Sequence, residues 1–228
     1  GEETLLLPLP LYHIYAFNAC LGMLARGGHT VLVPNPRDLK SLVAAFRNSG
    51  CTGFAGLNTL FVALCNDADF RAVDFSRLKL TMSGGMALTM AAAGRWKEVT
   101  GVEIVEGYGM SETSPVISVN PVNANRLGTI GIAVPSTEVR IVDDNGNEVA
   151  AGEPGELVVR GPQVMLGYWN QPGETAKVLS PDGWLHTGDV AVVTPEGYLK
   201  IVDRKKDMVV VSGFNVYPNE IEEVVVAH

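Results

Sequence analysis

Basic side chains are scarce in this chain. Lysine and arginine together number 17 against 25 aspartates and glutamates, for a net charge of −8. A surface that grips nucleic acid needs a cationic excess to neutralise phosphates, so no nucleic-acid partner is expected. The shortage leaves room for one polyanionic ligand, which a few local donors can hold. Cysteine is scarce too. Cys20, Cys51 and Cys65 are odd in number and follow neither metal-type nor redox-type spacing, which predicts three buried thiols in a reducing cytosol.

Charge is missing altogether from residues 4–25, so a membrane span has to be weighed. Pro8 and Pro10 interrupt its first third, and His13 and Asn18 are polar. A short strand, a proline break and a core helix fit better. A basic leader and a small-residue cleavage site are lacking, so the stretch is not read as a signal peptide. Repeats and low-complexity tracts are also absent.

What is present is enough for a core. With 228 residues, 46% of them hydrophobic, the chain can build one large domain or two small ones. Its first half alternates short apolar runs with helical stretches. Strands are expected over 4–9, 30–33, 53–57, 78–83 and 103–107, with helices over 13–25, 37–48, 59–66 and 86–100 between them. That alternation predicts an α/β unit with a parallel sheet and crossover helices over 1–120. Ligands bind such sheets at the carboxyl ends of strands, so chemistry is expected in the loops after Leu80 and Val105.

After Pro121 the character changes. Strands expected over 137–143, 156–160, 189–193 and 198–202 are separated by turn residues. Asp144-Asn145-Gly146 and Pro195-Glu196-Gly197 are hairpin signals. A smaller antiparallel sheet or partial barrel is predicted over 121–203. The first elements of a C-terminal α+β domain are predicted over 204–228, with a strand over 207–212 and a helix opening at Pro218. That domain begins without being completed, which predicts a piece of a longer chain.

The stretch richest in chemistry is Glu106-Gly107-Tyr108-Gly109-Met110-Ser111-Glu112-Thr113. Its glycines let backbone approach a ligand closely. Tyr108 offers a flat face to a base, Ser111 a hydroxyl to a phosphate oxygen, and Glu112 a carboxylate to Mg²⁺. The same residues would also serve a plain glycine-rich turn with Ser111 and Glu112 in a first helical turn. Asp143–Glu148 has the composition of a calcium loop, but Glu148 stands where that loop needs glycine and Pro154 where it needs glutamate; a hairpin turn is expected.

Tyr108-Gly109-Met110-Ser111-Glu112-Thr113 resembles the Y-G-x-[ST]-E motif of the adenylate-forming superfamily. Other stretches resemble that family in the same order. These are Pro10-Leu11-Tyr12-His13, Ser83-Gly84-Gly85-Met86, the W-x-x-T-G-D match Gly183–Asp189, and the hinge-like Asp203–Asp207 followed by Ser212–Pro218. Gly161–Trp169 and Val211–Glu222 are most similar to the bacterial long-chain fatty acid–CoA ligases within it.

The resemblance implies a substrate carboxylate activated by ATP to an acyl-adenylate and then passed to CoA, with Mg²⁺ required. It implies that Gly84, Gly85, Glu106, Gly107 and Tyr108 wall the adenine and acyl-adenylate. It further implies that Ser111 meets phosphate, Glu112 binds Mg²⁺ and Asp189 accepts from the ribose hydroxyls. Arg204 would contact ribose or phosphate, His13 the substrate carboxylate or acyl site, and Lys206 would serve the domain hinge. Phe17, one helical turn beyond His13, either lines the acyl channel or packs in the core. His186 is expected to support the ribose loop. The family's phosphate loop should lie before Gly1 and its catalytic lysine after His228, so the stretch alone is expected to have little or no ligase activity. A cytoplasmic location is expected, with peripheral contact at the inner membrane left open. Two other readings stand beside this one: a ligase for another carboxylic acid, and a non-catalytic module that binds nucleotide or a protein partner.

Overall fold

The computed structural model describes residues 2–205, 207, 209–211, 214–216, 218 and 225. They form two compact units: Gly1–Pro115 with Asn120–Gly128, and Val116–Val119 with Thr129–His228.

The first unit is built on five parallel strands, β1 (Thr4–Leu7), β2 (His29–Leu32), β3 (Gly53–Gly56), β4 (Leu80–Ser83) and β5 (Ile104–Gly109), in the order β2-β1-β3-β4-β5. Helices α1 (Ile14–Ala25), α2 (Leu39–Ser49), α3 (Asn58–Asn66), the short α4 (Ala68–Arg71) and α5 (Met90–Thr100) cross between them. Alternate residues of a strand face opposite sides, and the β1 run shows why all of it is apolar. Leu6 joins Phe54 of β3 and Ile104 of β5 on one face, under α2, α3 and α5. Leu5 and Leu7 join Ala55 on the other face, against Ala16, Ala19 and Met23 of α1.

Helix ends follow local chemistry. The Asp38 side chain accepts the Ser41 N–H and starts α2, which Gly50 ends in the left-handed region at φ 55°. Thr89 accepts the Ala92 N–H and starts α5, and Gly101 ends it at φ 76°. The helix expected from residue 86 therefore begins only at Met90, which leaves 84–89 as a loop. Cys51 and Cys65 are buried and burial raises both thiols' pKa, but Cys20 is only half-buried, contrary to expectation.

The core of this unit is aromatic. Trp96 is fully buried, stacks on Phe54 at 5.4 Å and meets Phe61 edge-on at 5.0 Å. Its indole N–H donates to Thr81 Oγ1 at 3.1 Å, so the one polar atom of the ring is satisfied.

The second unit carries the short antiparallel pair β6 (Val116–Val119) and β7 (Ile132–Ala133). It also carries a four-stranded antiparallel sheet in the order β11-β10-β9-β8, from β8 (Glu138–Val142), β9 (Gly155–Arg160), β10 (Leu185–Val193) and β11 (Leu199–Arg204). The Pro195–Gly197 hairpin joins β10 to β11, closed by Thr194 N–H to Tyr198 O. At Asp143–Glu148 the Asp143 carboxylate accepts from Asn145 and Asn147 N–H at 2.8 Å each, which is a tight turn and no calcium loop. Helix α6 (Pro172–Val178) has proline in its first turn. Strands β12 (Val209–Val211) and β13 (Phe214–Val216) pair antiparallel. Lys206, and the helix expected over 218–228 apart from residues 218 and 225, lie outside the described residues. No helix among the described residues is long and apolar enough to cross a membrane.

Thr81→Val keeps the shape of its site but leaves the buried Trp96 N–H without an acceptor. A loss of about 1–3 kcal/mol is expected in urea unfolding. Trp96→Phe in the same background removes the orphaned donor, so the two substitutions should be non-additive.

Candidate functional site

The strand order sets where a crevice can form. The chain moves from β1 outward to β2, then crosses back to β3 on the other side, so the order reverses between β1 and β3. Loops leaving the carboxyl ends of these neighbouring strands diverge, and ligands lodge there. His13 follows β1, Leu57 follows β3, and Gly84-Gly85 follow β4. A Cβ placed on Gly85 would lie 3.7 Å from Leu57 Cδ2 and 3.8 Å from His13 Cε1, so the three loops do converge. Gly85 itself sits at φ 83°, which a larger residue would resist. A Cβ on Gly84 would stand 3.5 Å from the Gly107 carbonyl and from the Tyr15 ring.

His13 is more than an exposed ring. It is the N-cap of α1, and its Nδ1 accepts the Tyr15 N–H at 3.2 Å. A backbone N–H can only donate, so Nδ1 carries no proton and a neutral ring presents Nε2–H. Two residues on, the Tyr15 hydroxyl donates to Met82 O at 3.2 Å and ties α1 to β4. Burial pushes that phenol's pKa up. Phe17 is 48% exposed, so core packing does not account for it.

Strand β5 runs on through Gly109, two residues past expectation, and ends in a single 3₁₀ turn, Ser111–Thr113. Thr113 pins the turn, donating to Pro115 O at 2.6 Å and accepting the Met110 N–H at 3.2 Å. Ser111 is exposed while Tyr108 and Glu112 are half-buried. Glu106 lies opposite Ser83 in the ladder and is buried. Loss of water around its carboxyl raises its pKa to about 7, against the opposing pull of the Leu88 backbone N–H. Thus the first unit gathers His13, Gly84 and Gly85 with Glu106 and Gly107 at the sheet's carboxyl edge, and the strand from Glu106 leads on through Tyr108 to Ser111 and Glu112.

The second unit holds Asp189 and Arg204. They face one another across β10 and β11, with Arg204 Nε 3.7 Å from Asp189 Oδ1. The strand before Asp189 begins at Leu185, four residues earlier than expected, and it bulges. Leu185 and His186 pair with Val159 and Val158, yet the next pairs are Val190 with Glu156 and Ala191 with Gly155. Thr187-Gly188-Asp189 are thereby pushed out of the ladder with β9, while Asp189 keeps its pairing with Arg204, and Gly188 sits at φ 74°. Glu156 Oε1 accepts the Gly188 N–H at 3.1 Å, and Thr187 Oγ1 accepts the Asp189 N–H at 3.1 Å. The Thr187 hydroxyl in turn donates to Leu157 O at 2.7 Å. His186 Nδ1 lies 3.2 Å from Glu156 Oε2.

The sequence pattern described as "AMP-binding enzyme" matches residues 1–169, about three-quarters of the chain. The chain belongs to this family. Among its relatives is the long-chain-fatty-acid–CoA ligase of Escherichia coli O157:H7, 52% identical over 230 residues, covering 100% of this chain and 41% of the relative. The chain thus spans less than half of that relative's length. Similar solved structures include ATP-bound MatB from Rhodopseudomonas palustris, 31% identical with a TM-score of 0.91, covering 100% of this chain and 45% of that one. An anthranilate CoA ligase, AuaEII, in complex with anthranoyl-AMP is 29% identical with the same TM-score of 0.91, covering 100% and 44%.

The buried Glu106 makes stability depend on pH. The folded protein holds this proton more tightly than the unfolded chain, where 4.5 is the ordinary value. The stabilising contribution is therefore full below about pH 4.5 and is lost as pH rises toward 7, a change on the order of 3 kcal/mol at most. Glu106→Gln should flatten this part of the stability profile measured by urea midpoints. An unchanged slope in the variant would remove Glu106 as its source.

Proposed function

We propose that this chain is the central part of a long-chain fatty acid–CoA ligase that works through an acyl-adenylate. The observation that carries the reading is the convergence of His13, Gly84 and Gly85 at the point where the strand order reverses, with Glu106–Glu112 leaving the same edge. The E. coli relative at 52% identity supports the substrate class. In the reading, a fatty-acid carboxylate oxygen attacks the α-phosphorus of ATP. The bond to pyrophosphate breaks, giving the acyl-adenylate. The thiol of CoA then attacks the acyl carbon, and AMP leaves.

Each role follows from what the side chain can offer. Gly84 and Gly107 expose backbone next to the base, and Tyr108 lends its face. His13 Nε2–H donates to the substrate carboxylate. Ser111 donates to a phosphate oxygen. Asp189, an acceptor when ionised, takes hydrogen bonds from ribose hydroxyls, and Arg204 beside it stands near ribose or phosphate. Lys206 serves the hinge of the following domain. Among the described residues no three carboxylate, histidine or cysteine side chains cluster as a metal cage. A single carboxylate at Glu112 suits Mg²⁺, which is commonly held by one or two carboxylates together with substrate phosphates. Such an ion offsets the charge that develops on those phosphates. A cytoplasmic place of action fits the soluble substrates ATP and CoA.

A second reading keeps the chemistry and changes the acid. The equal TM-score of AuaEII supports it, because that protein is an anthranilate CoA ligase in complex with anthranoyl-AMP.

The test is AMP release by the full-length protein with palmitate, ATP, Mg²⁺ and CoA, beside Glu112→Ala. AMP formation with palmitate that falls about a hundredfold or more in the variant is the expected result. Turnover with aryl acids and none with palmitate would move the conclusion to the second reading, and no AMP with any acid would sink both.

A further inference from the structure

Asp189 can serve a ribose only if the bulge that carries it keeps one shape, and a bulge has lost the ladder bonds that normally fix a strand. The backbone groups of Thr187, Gly188 and Asp189 that have left register with β9 need other partners. Thr187 accepts the Asp189 N–H from within the bulge, and the Lys205 N–H donates to Gly188 O. The Gly188 N–H goes to one side chain of the neighbouring strand, Glu156. Strand alternation puts Glu156 on the same face as Val158, which packs with Val142 and Trp184, and the side chain is only 10% exposed. A carboxylate so placed is costly unless donors surround it. Two donate to it, the Gly188 N–H at 3.1 Å and Lys205 Nζ at 3.3 Å, and His186 Nδ1 lies 3.2 Å away. These groups come from within, beyond and before the bulge. Lys205 also donates its backbone N–H to Gly188 O at 2.8 Å and reaches Asp144 Oδ1 at 2.9 Å. Glu156 therefore joins the Thr187–Asp189 bulge to the end of β11, next to Arg204.

We propose that Glu156 is a positioning residue for nucleotide selection: its carboxylate sets the bulge that aims Asp189, and so governs how well the site tells a ribose from a deoxyribose. The inference rests on the ribose role proposed for Asp189. It accounts for an acid held at low exposure in a strand, where a valine like Val158 would pack without the cost of burying charge.

The experiment compares ATP with 2′-deoxy-ATP and 3′-deoxy-ATP in the full-length protein, reading kcat and KM for each nucleotide and for the acid separately. The unsubstituted protein is expected to prefer ATP over at least one deoxy form. Glu156→Ala should lower kcat/KM for ATP by about 10–100-fold, mostly through KM for nucleotide, and bring the ATP-to-deoxy ratio toward one. Glu156→Asp keeps the charge but draws it back from the Gly188 N–H, so it should lose selectivity as well. Glu156→Gln retains an oxygen that can accept that N–H but turns its amide NH2 toward Lys205 Nζ, so it should recover only part of the ratio. A merely structural role would lower thermal stability and leave the ratio alone, so intact selectivity in both Glu156→Ala and Glu156→Asp overturns the inference. Full selectivity in Glu156→Gln also overturns it, because the carboxylate's hold on Lys205 would then have been lost without effect. Equal use of all three nucleotides by the unsubstituted protein, with Asp189→Ala no worse, would instead overturn the ribose reading of Asp189, and the inference with it.

Discussion

A parallel sheet covered on both faces is the constraint from which the first unit follows. Each strand must be apolar on both sides, each return must cross by a helix, and the only backbone free to meet a ligand lies at strand ends. Leu5, Leu6 and Leu7 show the cost in sequence: three consecutive leucines, two for one face and one for the other. The reversal of order between β1 and β3 then decides which ends stand apart. His13 and Gly85 come together although the strands that they follow, β1 and β4, lie on either side of β3 and are not hydrogen-bonded neighbours. The site geometry is a consequence of topology before it is a consequence of any side chain.

The second unit meets the same problem by another route. An antiparallel sheet has no crevice of its own, so a functional side chain must be lifted out of the ladder. The bulge in β10 takes Asp189 out of register with β9, and the cost is a set of backbone groups without a partner in that strand. Thr187 and Glu156 accept two of those N–H groups. A threonine inside the bulge and a glutamate on the strand beside it are thus parts of one hydrogen-bond network, although about thirty residues separate them in sequence.

Much of this was legible beforehand. The alternation of apolar runs and helical stretches gave the parallel sheet and its crossovers, and the two hairpin turns sit where asparagine, proline and glycine put them. What escaped notice shares a physical cause. Helix α6, with sequence Pro-Gly-Glu-Thr-Ala-Lys-Val, buries no residue and has no apolar stripe to betray it. The early start of β10 was hidden because a bulge breaks the alternation that marks a strand. Glu156 gives no signal in the sequence because its contacts depend on register with β10, which no local pattern encodes. The half-exposure of Cys20 and Phe17 likewise depends on what α1 packs against, whereas composition only shows that α1 is apolar.

Three glutamates near the ends of strands illustrate how surroundings divide one chemistry into different roles. Glu106 is buried at the edge of β5 with little to oppose the loss of water, so it keeps its proton up to about pH 7. A carboxyl in that state is a poor ligand for a hard cation but can donate a hydrogen bond, which suits a wall against a nucleotide or acyl group. Glu112 stands six residues further, past the strand, on a short turn where water is close, and Mg²⁺ favours such a carboxylate together with substrate phosphates. Glu156 is nearly as enclosed as Glu106 but is ringed by an amide, an imidazole and an ammonium group, so its charge is answered within the protein and serves to hold structure. The sequence presents all three as the same residue beside glycine or serine. Only the environment separates a carboxyl that holds its proton, one half-buried on a turn beyond the strand and one enclosed by donors, and the sequence alone carries none of that difference.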